Sequence, residues 1–220
     1  MTRSHQRSIE VNHALIRAAE IRAGLQLAGH ATLAHRIAVA LLTAAYDDAR
    51  AATLLIGNYG PDLVGSALSL VRPMNEKFRR GCWFFLGATE EQAAAFMDRD
   101  ELPSPKKMVA AIEADGPFSQ FPIFSGQFQA GIDHLHSFTH GGNQIAIPYL
   151  ATNEVGACYS DDDIFFALES IEAIGMTAVL ITILVAGESN PEGAQRALDA
   201  YGAEFPFGED SPWSIDEKKR

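Results

Sequence analysis

The segment that most constrains the fold runs from Ala173 to Gly187, where the sequence AIGMTAVLITILVAG has no charged residue. This stretch is about 15 residues long, whereas a helix needs ~20 apolar residues to span a bilayer. Glu169 and Glu172 come directly before it. Because the apolar residues from Ile164 to Ala186 cover nearly the whole circumference of a helix, other helices must surround it. The sequence therefore predicts a soluble protein with one buried central helix.

Helical periodicity dominates the rest of the chain, and no strand pattern of any length competes with it. We predict an all-α fold, a single-domain bundle of about seven to eight helices over residues 1–205, followed by a polar tail at 206–220. Ser8 and Ser104 are expected to be N-caps. The predicted helices span residues 8–28, 31–56, 61–86, a short segment after Thr89, 105–114, 125–140, 161–186 and a short segment from Pro191.

Composition limits the classes of partner. Of 220 residues, 17 are Lys or Arg and 28 are Asp or Glu, which gives a formal net charge of −11. This charge argues against a broad nucleic-acid or anionic-membrane surface but leaves room for a small basic patch. Two cysteines, Cys82 and Cys158, are too few for a disulfide framework, and we expect both to be reduced and buried. With no export signal at the polar start, we expect a cytoplasmic protein.

The first candidate site is a stripe on the third helix. Arg72, Glu76, Arg79 and Trp83 are spaced by four, three and four residues, so a continuous helix places them on one face. Guanidinium groups bind oxyanions such as phosphate through paired hydrogen bonds, and Glu76 could orient one of them. The alternative is an interhelical ion-pair network with Trp83 in the core.

The second candidate lies in the segment from Asp133 to Gly142, which holds three of the seven histidines. Asp133, His136 and His140 share a helix face, but one helix would have to supply all three ligands of a metal, so we predict no metal and no cofactor. His140 precedes two glycines at a helix end, where the dipole favours imidazolium and a histidine can act as general acid or base. The alternative is a histidine that satisfies the last helical carbonyls.

Five segments resemble a family of bacterial proteins of unknown function over roughly residues 66–187. They are Leu70–Glu76, Arg80–Trp83, Gly87–Gln92, Ser137–Gly142 and Tyr159–Asp163. The pattern of that family combines an Arg-x-x-x-Glu-x-x-x-Arg-Gly-x-Trp helix with a Ser-Tyr-Thr-His-Gly-Gly helix end, where Phe138 stands here in place of tyrosine.

A wider resemblance is to the HEPN superfamily of helical domains, which often act as metal-independent ribonucleases. Their usual motif is an arginine followed by a histidine on the same helix. No arginine lies in the predicted helix before His140, so Arg72 or Arg79 would have to take its place.

These features leave three functions open. A HEPN-like ribonuclease of toxin or defence type would use Arg72, Glu76 and His140 as catalytic residues, with Arg79, Trp83 and His136 at the edge of the same pocket. A binding module would hold RNA, a nucleotide or another anion without turnover. The third possibility is a non-catalytic homodimer with a structural or partner-binding role. The sequence therefore does not decide whether the protein is an enzyme.

We also expect a homodimer from the alanine-rich segments Ala14–Ala23 and Leu33–Ala52. Small side chains allow helices from two subunits to approach closely.

Overall fold

The computed structural model describes residues 2–114, 118–119, 124–125, 148 and 158–206. In this part of the chain there are seven α-helices and no strand, which confirms the predicted all-α fold. A short 3-10 turn, Gly60–Leu63, precedes the third helix. The helices are α1 (Arg3–Arg22), α2 (Leu33–Tyr59), α3 (Val64–Leu86), α4 (Glu90–Arg99), α5 (Pro105–Ala114), α6 (Asp161–Gly187) and α7 (Pro191–Glu204).

Local capping explains where most helices begin. The Thr89 hydroxyl accepts from Gln92 N and the Gln92 side chain accepts from Thr89 N, a reciprocal capping box at the start of α4. The side chains of Thr32, Ser160 and Asn190 cap α2, α6 and α7 in the same general way.

The prediction that Ser8 caps the first helix is wrong. Thr2 is the N-cap of α1, and Ser8 lies inside the helix, where its hydroxyl donates to the His5 carbonyl at 2.7 Å. The helix also ends at Arg22 and not near residue 28. Its polar first turns are helical because they bind α6: Ser4 N and Ser4 Oγ donate to Asp161 Oδ1 at 3.2 and 2.5 Å. These contacts join residues 157 positions apart, so local sequence does not reveal them.

Helix α6 is the centre of the bundle, as predicted from its apolar circumference. Ile171, Val179 and Ile183 are fully buried, and α6 contacts α1, α2, α3 and α7. Among the described helices it is long and apolar enough to cross a membrane by length and composition, yet 61% of its most apolar 18-residue stretch is buried inside the protein. This burial is compatible with a soluble protein.

Gly175 sets the closest approach of other helices to α6. A Cβ placed on Gly175 would lie 2.6 Å from Leu15 Cδ2 of α1 and 2.9 Å from Ala49 Cβ of α2. Gly81 plays the same part between α3 and α2, where a Cβ would lie 2.7 Å from Leu42 Cγ. The absence of a side chain at these two positions lets the helices pack at these distances.

About half of the alanines in the two alanine-rich segments are buried inside the chain itself. Ala18 of α1 and several alanines of α2 are nearly or fully buried against neighbouring helices of the same chain: Ala34, Ala38, Ala45, Ala49 and Ala52. Their small size therefore serves packing within one chain, and the homodimer stays a prediction.

The two cysteines differ from each other in environment. Cys82 is fully buried, and burial raises the pKa of its thiol. Cys158 is exposed, so the prediction that both cysteines are buried is wrong for this one. Both are free thiols.

A buried ion pair fixes α1 on α6. Arg7 Nε donates to Glu169 Oε1 at 2.6 Å, and Arg7 Nη2 donates to Glu172 Oε2. Glu172 is only 8% exposed, and burial raises the pKa of its carboxyl group although Arg7 opposes the change.

Substitution of Gly175 by alanine is expected to destabilise the protein by about 1–3 kcal/mol, because the methyl group would press against Leu15 and Ala49. Gly202 in α7 is the matched control, since a Cβ there would meet nothing within 4 Å. Gly202→Ala should be neutral or stabilise by up to about 1 kcal/mol through helix propensity. Urea unfolding of the three proteins measures both effects; equal stability of the two variants would show that α6 is not tightly packed at Gly175.

Arg7→Ala is expected to lower the free energy of unfolding by about 2–4 kcal/mol at pH 7, because a buried carboxylate loses its partner. A folded-state pKa above the unfolded value stabilises the fold at low pH, and this contribution is lost as pH rises through the folded pKa. Because burial raises the pKa of Glu172, the deficit of Arg7→Ala should therefore shrink as the pH falls below 7 and Glu172 becomes protonated.

The double variant Arg7→Ala/Glu172→Gln is the control for this interpretation. It should be more stable than Arg7→Ala at pH 7, and this difference should decrease as the pH falls and Glu172 of Arg7→Ala becomes protonated. Equal loss in both variants at every pH would mean that the Glu172 charge is not the cause.

Candidate functional site

The predicted arginine stripe is present on α3, which continues through Pro73 as one helix. Arg72 Nε donates to Glu76 Oε1 at 2.9 Å, and Glu76 Oε2 lies 4.0 Å from Arg80 Nη2. The spacing of four residues places each of these side chains one turn from the next. Glu76 thus sits between two arginines, in the orienting position expected from the sequence.

The side chains of these arginines and Glu76 differ in their exposure to solvent. The Arg80 and Glu76 side chains are 36% and 30% exposed, and the Arg72 side chain is 17% exposed. Arg79 is only 6% exposed. Solvent therefore reaches the Arg80 and Glu76 side chains, whereas Arg79 is almost fully buried. We call Arg72, Glu76, Arg79 and Arg80 the arginine cluster.

The arginine cluster and its neighbour Asn75 contain several buried polar atoms that have no hydrogen-bond partner among the described residues. They are Arg72 Nη1, Asn75 Oδ1, Arg79 Nε and Arg80 Nε. Asn75 does use its amide nitrogen, which donates to the Val71 carbonyl at 2.9 Å. Each unsatisfied buried group costs about 1–3 kcal/mol, so four of them within nine residues need an explanation.

Electrostatics give the arginine cluster an excess of positive charge. Burial lowers the pKa of Arg79; Glu76 raises it, and repulsion from Arg80 and Arg72 lowers it further. Lys77 adds nothing to this excess because its Nζ is paired with Asp48 Oδ2 of α2 at 2.6 Å. A half-buried group of three arginines and one carboxylate is suited to an anion.

Trp83 lies in the hydrophobic core and is 2% exposed. Its ring packs edge-on against Phe84 with centroids 4.8 Å apart, and it lies beside the backbone of Gly87. This is the environment that the ion-pair alternative expects for the indole. A role for Trp83 at the edge of a ligand site stays a prediction.

The second predicted candidate lies outside the described residues. His136 and His140 both fall there, as does Asp133. A pocket shared by Arg72 and His140 is therefore still a prediction. In the part of the chain that the structure describes, no group of three or more His, Cys, Asp or Glu side chains could hold a metal ion.

Two residues of the site were not among those predicted. Asn75 and Arg80 both contribute unpaired buried atoms. The signal was available for Arg80, which lies four residues after Glu76, the usual spacing of a helical ion pair. Asn75 lies three residues after Arg72 and four before Arg79, but an amide at that position resembles an ordinary polar residue.

A small cavity of about 150 Å³ lies elsewhere, where α1 and α6 begin and α2 ends. His5, Tyr159 and Asp161 are among its lining residues. The Asp161 carboxylate already binds the start of α1 through Ser4. The cavity is therefore part of the junction between these helices, and we assign it no ligand.

The sequence profile of DUF6988, a family of unknown function, matches residues 42–206. That range includes all of α3 and the arginine cluster, whereas α1 precedes it. No significant match to this chain was found among curated proteins or among solved structures.

The stability of an Arg79→Met variant tests whether Arg79 is structural. Methionine fills a similar volume and removes a buried, unpaired guanidinium, so the free energy of unfolding should stay within about 1 kcal/mol of the original or rise. Lys77→Met is the contrast on the same helix, because it leaves Asp48 without a partner and should cost about 1–2 kcal/mol. If urea unfolding shows Arg79→Met to be the more damaging change, Arg79 stabilises the fold.

Proposed function

The chain belongs to DUF6988, whose function is unknown, and we propose that it binds a phosphate-bearing ligand of the nucleotide class through Arg72, Arg79 and Arg80. Glu76 takes part as the residue that orients Arg72. The site lies in one helix, and each of its side chains is among the described residues.

One observation carries this proposal: buried guanidinium nitrogens without partners are concentrated in the arginine cluster. A fold gains nothing from burying Arg79 unpaired, because desolvation of the charge is not repaid by an ion pair. A bound oxyanion would accept hydrogen bonds from Arg72 Nη1, Arg79 Nε and Arg80 Nε. The groups that are orphaned in the free protein are those that such a ligand would satisfy.

The structural alternative explains the arginine cluster less well. An interhelical network would pair the arginines with carboxylates of neighbouring helices, as Lys77 is paired with Asp48. The ion-pair partner of Arg72 is Glu76 of its own helix, and Arg79 lies within ion-pair distance of no carboxylate that the structure describes. Among the described residues, the network therefore lacks a carboxylate partner for Arg79, which is the most buried of the three arginines.

Ribonuclease activity adds a further requirement. It needs a group that moves a proton, and His140, the residue expected for that role, lies outside the described residues. Binding without turnover needs only the arginine cluster, so the proposal is restricted to binding. The HEPN relationship, the bacterial cytoplasmic setting, the homodimer and the toxin or defence role remain predictions from the sequence.

Binding of AMP, with adenosine as the control lacking phosphate, tests the proposal by isothermal titration calorimetry. Arg72→Met and Arg79→Met should each weaken AMP binding by about tenfold or more, since each removes a charged donor to the phosphate. Arg99→Met is the matched variant, because Arg99 is an exposed arginine paired with Glu101 outside the arginine cluster. Its affinity for AMP should be unchanged.

Two results would contradict the proposal. One is equal binding of adenosine and AMP, which would place recognition in the base and ribose. The other is an equal effect of Arg79→Met and Arg99→Met on AMP binding.

A further inference from the structure

We infer that the arginine cluster selects a terminal phosphate monoester over a phosphodiester. This inference rests on the proposed function, since it concerns which phosphate the same site accepts. It identifies the ligand as a small phosphorylated molecule, such as a nucleoside monophosphate, in preference to the interior of a nucleic-acid strand.

The first argument is charge. Three arginines and one glutamate give the arginine cluster a formal charge of 3 − 1 = +2. The neighbouring Lys77 is neutralised by Asp48, and the groups that shift the pKa of Arg79 are Glu76, Arg80 and Arg72 alone. A phosphate monoester carries a charge of about −1.5 to −2 at pH 7, whereas a diester carries only one negative charge. The monoester therefore matches the excess charge of the site.

The second argument is the number of hydrogen-bond donors. Arg72 Nη1, Arg79 Nε and Arg80 Nε are three unpaired buried donors. A monoester has three terminal oxygens that can accept these hydrogen bonds, and a diester has two. Two of the donors would have to share one oxygen of a diester, whereas a monoester offers an acceptor oxygen for each of the three.

The third argument is burial. Arg79 is 6% exposed, whereas the Arg80 side chain is 36% exposed. A terminal phosphate can approach a buried guanidinium with a single ester arm directed to solvent, whereas a phosphodiester has two arms to accommodate. Burial and charge thus favour the same chemical group.

Methyl phosphate and dimethyl phosphate are the minimal matched probes, because they differ by one methyl group and one charge. Their affinities for the full chain can be measured by NMR titration at pH 8, where the monoester is fully dianionic. We expect methyl phosphate to bind about tenfold or more tightly than dimethyl phosphate. The preference should disappear in Arg79→Met, persist in Arg99→Met, and decrease in Arg80→Met, which lowers the charge of the arginine cluster to +1.

The outcomes separate the two proposals. If both probes bind equally and both are lost in Arg79→Met, phosphate binding stands and the selectivity inference is overturned. If the preference survives in Arg79→Met, selection occurs at another site and the inference is also overturned. If neither probe binds the original chain, and AMP binding is independent of Arg79, the proposed function itself fails. Urea unfolding of each variant distinguishes a local loss of binding from a loss of the fold.

Discussion

The fold depends on the burial of α6. A helix that is apolar on nearly every side cannot remain in water, and its burial against other helices provides the hydrophobic driving force for the bundle. Gly175 determines how closely that cover fits, because α1 and α2 meet α6 where it has no side chain. Ion pairs then fix the position of α1 on α6. Arg7 of α1 pairs with Glu169 and Glu172, which lie just before the most apolar stretch of α6. The polar contacts determine the position of α1, and the apolar contacts provide most of the stability.

This architecture places α3 between two requirements. Its apolar face must pack on α2, and Gly81 allows the close contact with Leu42 that this needs. Arg79, two residues before Gly81 on the same helix, is desolvated although it bears a charge. Burial of an unpaired cation lowers stability, and proteins tend to keep such costs where a ligand uses the group. The arginine cluster is therefore better explained by binding than by stability.

Much of the fold follows from the sequence because its signals are local. Thr89 with Gln92, and Asn190 before Pro191, begin helices through groups a few residues away, and the apolar circumference of α6 requires burial wherever the helix lies. The start of α1 does have a local signal, since the Thr2 side chain accepts from His5 N. The contacts of its first turns with α6 have none, because Ser4 and Arg7 bind residues more than 150 positions later. The spacing of Arg72, Glu76 and Arg79 predicted their shared face. The spacing could not predict that Arg79 is buried or that Cys158 is exposed, because burial depends on how helices pack against each other.

The overall charge and the local charge act together in ligand selection. A chain of net charge −11 repels polyanions over most of its surface, and this repulsion grows with the length of strand that approaches. A small anion is affected mainly within a Debye length, which is about 8 Å at physiological ionic strength, so a compact site of charge +2 can still attract it. A long RNA would have to bring many phosphates close to acidic surface in order to place one of them on Arg79. The combination of a net negative charge and a small positive cluster therefore supports the proposal of a small phosphorylated ligand.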